Sequence, residues 1–72
     1  MAHVTEIKYF AQPLDDSRYI VNFVYYHDNM NPVWGSVEKP VAKRVLPDFW
    51  RYLKNSLCEY YQLAPCNVSL IL

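Results

Sequence analysis

RYIVNFVYY, residues 18–26, is the stretch on which the fold turns. β-Branched and aromatic residues fill nearly all of it, a composition that suits a pleated surface. Successive side chains of a strand point to opposite faces. Tyr19, Val21, Phe23 and Tyr25 therefore share one face, and Ile20, Asn22, Val24 and Tyr26 share the other. Both sets are largely apolar, so the segment predicts a central strand whose second face is not simply wet.

Upstream, Val4–Phe10 alternates, with Glu6 and Lys8 on one parity and Ile7 and Tyr9 on the other. This predicts a half-buried strand that stops near Pro13, followed by a polar turn at Leu14-Asp15-Asp16-Ser17. Downstream, His27-Asp28-Asn29-Met30-Asn31-Pro32 reads as a turn, because Asp and Asn bond their own backbone and Pro fixes φ. Val33–Val37 resumes the alternation as a third strand. Gly35, the only glycine of the chain, suggests a bulge there or the close approach of another group. Pro40 ends that strand or holds it at a sheet edge, and 42–46 is connecting chain.

Pro47 and Asp48 suit a first helical turn, and the spacing is helical from Pro47 to Leu63. Phe49, Trp50, Leu53, Leu57, Tyr60 and Tyr61 form the apolar stripe, opposite Arg51, Asn55, Glu59 and Gln62. Pro65 is the expected stop. Asn67–Leu72 reads as a short last strand, with Val68, Leu70 and Leu72 toward the helix and Ile71 away from it. The order β-β-β-α-β predicts a small two-layer α+β domain spanning residues 1–72. One helix packs on a three- or four-stranded, mainly antiparallel sheet. A crossover between parallel strands through the helix is expected to be right-handed.

Seventy-two residues bury only about three-fifths of the surface their unfolded chain exposes. Seven Tyr, three Phe and two Trp give this small core large side chains and argue against intrinsic disorder. The formal net charge of zero lacks the basic excess of most nucleic-acid binders and favours self-association. The first ten residues do not read as a signal peptide, and no apolar run approaches the ~20 residues of a membrane span. The expectation is a cytoplasmic protein with Cys58 and Cys66 as reduced, packed thiols.

Catalysis finds little support. His27 and Asp28, with His3, suggest an acid–base pair or metal site, but adjacent residues at a strand end point apart. Cys58 lies near a helix C-terminus, which disfavours a thiolate, and the serines lack a nucleophile-elbow context. One glycine cannot build a phosphate-cradling loop. No cofactor or metal is expected.

Two binding readings remain. In the preferred one, Ile7, Tyr9, Tyr19, Val21, Phe23, Val33, Val37, Val68 and Leu70 face the helix. Ile20, Val24, Tyr26, Trp34 and Ile71 then form an outer apolar face, interrupted by Asn22, Ser36 and Glu38. Exposed apolar faces with Trp and Tyr are what interfaces enrich, so Ile20, Val24, Tyr26 and Trp34 are the candidate partner-binding residues, for a protein partner or a homodimer. In the alternative, strand tyrosines stack unpaired bases while Lys39, Lys43 and Arg44 track phosphate, although no RNA-binding strand motif is present.

The run from NFVYYHDN through WGSV, the single helix and the terminal NVSLIL resembles short phage- or plasmid-encoded proteins of unknown function. In those, an aromatic strand, a turn and a Gly-containing strand precede one helix and a last strand. The Trp-Gly-Ser at 34–36 and the end at Leu72 depart from that pattern. The resemblance implies a ββ(β)αβ fold and a mobile-element origin, and it transfers no catalytic residues; given that origin, an interaction module could modulate a host protein.

Overall fold

The computed structural model describes residues 3–28 and 31–71. Its elements run β1 (Val4–Pro13), β2 (Arg18–His27), β3 (Val33–Ser36), β4 (Val41–Ala42), α1 (Leu46–Tyr61) and β5 (Val68–Leu70), with 3-10 turns at Lys43–Val45 and Pro65–Asn67. The sheet is mixed, in the order β3-β2-β1-β5, and β4 also pairs with β2. The two-sided strand β2 is internal, as its composition predicts. It pairs antiparallel with β1 on one side and with β3 and β4 on the other. β5 runs parallel to β1, with Ile7 opposite Val68 and Tyr9 opposite Leu70.

Parity along β1 and β2 sets the core. Ile7, Tyr9, Val21, Phe23 and Val68 are buried on one face and are joined by Val41 and Leu53. Helix α1 lies over this face. Trp50 packs on Tyr9 with ring centroids 5.2 Å apart, and Tyr61 packs on Tyr25 at 5.7 Å. Burial pushes the Tyr25 phenol up to about 12, with the Tyr61 phenol adding to the shift. Burial raises Tyr9 too, helped by the neighbouring Cys58. Both thiols are free, with Cys58 half-buried beside the core; Cys66 is exposed, not packed as expected, because it sits in the 3-10 turn after the helix.

Several details differ from the sequence reading. β4 is an additional two-residue strand between Pro40 and the rest of the expected connector, held by the pairs Tyr19–Val41 and Arg18–Ala42. The backbone irregularity is in β1, between Val4 and Glu6, whereas the β2–β3 register is continuous through Gly35. The group near Gly35 is the Tyr25 ring, 3.5 Å from where a Cβ would stand, an ordinary van der Waals distance. Val33 is exposed on its short edge strand although it shares the covered parity. Tyr60 is 79% exposed and does not belong to the packed stripe, because it lies about 100° around the helix from Tyr61. The helix ends before Pro65, at Gln62 in the left-handed region (φ 58°, ψ 45°). There the Leu63 N–H donates to the Cys58 carbonyl, and the Gln62 side-chain amide donates to the Glu59 carbonyl. Asn29, Met30 and Leu72, expected in the turn and the last strand, lie outside the described residues.

Candidate functional site

The outer sheet face is built by the same alternation that builds the core. Trp34 on β3 stands opposite Val24 on β2, which stands opposite Lys8 on β1. One step along, Ser36, Asn22 and Phe10 form the next row. Trp34 leans across β2 and meets the Phe10 ring edge-on, with centroids 6.0 Å apart and planes at 83°. This is the favoured aromatic geometry, in which a positive edge meets a negative face. Trp34 nevertheless keeps 66% of its surface exposed.

The four candidate residues have different surroundings. Val24 is only 4% exposed, flanked by Lys8 and Trp34, so it forms the floor of the patch. Tyr26 is half-buried at one end, with the Lys8 ammonium 5.7 Å from its ring centroid. That distance is within cation–π range. Glu6 stands opposite Tyr26 on β1. Ile20 is half-buried at the other end, opposite Gln12. Between them the Asn22 amide donates to the Gln12 side-chain carbonyl at 3.0 Å. The strands thus bring Tyr26, Val24, Trp34 and Ile20 onto one face. Phe10 is the central residue that the sequence reading missed. Its signal was present, since it continues the Glu6–Lys8 parity by one step.

The basic residues lie elsewhere. Lys43 and Arg44 occupy the 3-10 turn leading into α1, and Lys39 lies in the loop after β3. Tyr9 and Tyr25 face the helix, so of the tyrosines in β1 and β2 only Tyr26 is on the outer face. His3 and Asp28 approach at 3.3 Å on an exposed surface, and the His27 Nδ1 is buried with no hydrogen-bond partner among the described residues. No three His, Cys, Asp or Glu side chains among the described residues are grouped to hold a metal ion. No helix among them is long and apolar enough to cross a membrane. Comparison with family models, with curated protein sequences and with solved structures returned no match to this chain.

Proposed function

We propose that this chain is a non-catalytic interaction module that associates with a second copy of itself through the outer face of its sheet. The observation that carries the reading is Trp34, which holds two-thirds of its surface in water on a sheet face that also bears Phe10, Tyr26 and Ile20. Large aromatic surface left in this state is the usual material of interface centres.

Charge supports a second copy as the occupant. The face carries Glu6 and Lys8 two positions apart on β1, and the whole chain has no net charge. A two-fold axis across such a face can set the acid of each copy against the base of the other. The available size argues for moderate affinity. Four strands ~4.8 Å apart, the longest of ten residues at ~3.3 Å each, give a footprint of roughly 500 Å². That is small beside the ~800 Å² buried per partner in a standard interface, so the expected dimer is a weak, reversible one.

Sedimentation equilibrium across a concentration series tests the reading. The mass is expected to rise from 8.6 kDa toward twice that value at high concentration, with little dependence on salt. A mass fixed at 8.6 kDa into the high micromolar range rejects self-association. A complex that forms with a single-stranded oligonucleotide and weakens steeply with salt instead selects the Lys39, Lys43 and Arg44 reading.

A further inference from the structure

Away from the outer face, the start of α1 and the ends of β1 and β5 enclose a groove of about 430 Å³. Tyr19, Leu46, Trp50 and Leu70 give it apolar walls, joined by Ile71, which lies here beside the helix and not on the outer face where its parity had put it, because β5 ends at Leu70 and the strand alternation stops there. A second cleft of about 560 Å³ lies against Arg18, Arg44 and Asp16. Lys43 and Pro47 line both, so the two concavities are neighbours that share this pair as a wall. We propose that this two-part site binds a small amphipathic anion, with its apolar body along Tyr19, Trp50 and Leu70 and its anionic group between Lys43 and Arg44.

The walls are tied together by backbone hydrogen bonds. The Lys43 N–H donates to the Ser17 carbonyl at 2.8 Å, and Arg18 pairs with Ala42 in the β2–β4 ladder. This fixes the backbone that carries the shared wall. Each volume is within the ~300–1,000 Å³ of small-molecule sites, which combine apolar walls with a few polar groups.

Charge places the anionic end. Arg18 is already engaged by Asp15, at 2.7 and 2.8 Å, and this contact together with the Ser17 N–H holds the Asp15 carboxyl below the usual range. Asp16 on the same wall repels an anion. Lys43 and Arg44 have no ion-pair partner among the described residues. The α1 N-terminus beside them has no side-chain cap, so its positive dipole end adds to their field, although Asp48 offsets part of it. A lysine on the boundary between a wet and an apolar concavity can line one with its stem and reach the other with its ammonium.

The groove reports on itself through Trp50. The chain has two tryptophans, so Trp34→Phe, on the opposite face, leaves Trp50 as the only one. Titration of this variant with decanoate below its micelle concentration is expected to change Trp50 emission saturably. A dissociation constant of ~1 mM or below suits a ligand of about a dozen heavy atoms. Lys43→Ala with Arg44→Ala should weaken binding at least tenfold while far-UV circular dichroism is unchanged. The neutral 1-decanol should also bind at least tenfold more weakly, and inorganic phosphate alone should leave the emission unchanged. The proposal is overturned by a titration that does not saturate, by equal binding of decanol, by saturable binding of phosphate alone, or by full affinity in the double variant. If that variant loses its fold, Lys43→Gln and Arg44→Gln made singly replace it, and full affinity in both overturns the proposal. The result is independent of self-association, which is read separately from the mass.

Discussion

Replacement of Trp34 by alanine removes the largest exposed part of the outer face. A Trp side chain presents up to ~250 Å², and with 66% of it exposed about 165 Å² is available for burial by a second copy. At ~25 cal/mol per Å² this gives a ceiling of about 4 kcal/mol per protomer. A dimer loses the contribution twice. Imperfect packing and ordering costs reduce it, and about a third of the ceiling from each copy still amounts to about 2.7 kcal/mol. The dimer dissociation constant is then expected to rise about 100-fold. The monomer loses much less, because Trp34 buries only about a third of its surface, in part against Phe10. Sedimentation equilibrium of wild type and variant measures the first effect, and urea unfolding of the monomer measures the second. An unchanged dissociation constant refutes the reasoning. A variant that no longer folds refutes it differently, by showing that Trp34 supports the core.

Other substitutions test the rest of the structure. Leu53→Ala opens a cavity where the helix meets the sheet and should lower stability by about 2–5 kcal/mol in urea unfolding. Gln62→Gly relieves a left-handed backbone at the helix end and should raise stability by up to about 1 kcal/mol, less what the lost bond to the Glu59 carbonyl contributed. Gly35→Ala should be neutral or stabilising by about 0.5 kcal/mol, since φ is not positive there and the added methyl meets Tyr25 at an ordinary distance. A loss above about 1 kcal/mol would show the space over Gly35 to be tighter than 3.5 Å implies. The raised Tyr25 phenol makes the native state hold its proton longer than the unfolded chain does. Its contribution is complete below pH 10 and is lost as pH rises toward about 12, so the urea midpoint should fall over that range and fall less in Tyr25→Phe.

The fold was legible where side-chain period and burial coincide. RYIVNFVYY has apolar residues on both parities, and a strand between two neighbours needs both. Val24 marks where this reading stops. Parity assigns it to the outer face, but its burial depends on how Trp34 leans over the sheet, which is a matter of rotamers rather than of pattern. Phe10 lies inside the expected strand, but Glu6 and Lys8, which share its parity, are charged, so that side of β1 carries no apolar pattern to single it out. Val41–Ala42 is too short to show a period and forms a strand only because β2 presents free backbone groups beside it. The groove at Lys43 and Pro47 joins segments far apart in the chain, so no local motif announces it.

The parallel pairing of β1 with β5 has a consequence for the order of events during synthesis. Ile7 and Val68 are opposite each other and fully buried, yet about sixty residues of chain separate them. β1 and β2 are made well before β5, so β5 closes on β1 only once it has itself emerged from the ribosome. Until then the β1–β2 hairpin has apolar side chains on both faces and an open edge on β1. Such an edge is a template for pairing with other chains. The nascent protein therefore passes through a sticky interval whose length is set by how soon the three-residue strand β5 emerges and closes. Shortening the chain at Val68–Leu70 would prolong that interval indefinitely, and the expected phenotype is accumulation in inclusion bodies rather than a soluble, weakened protein.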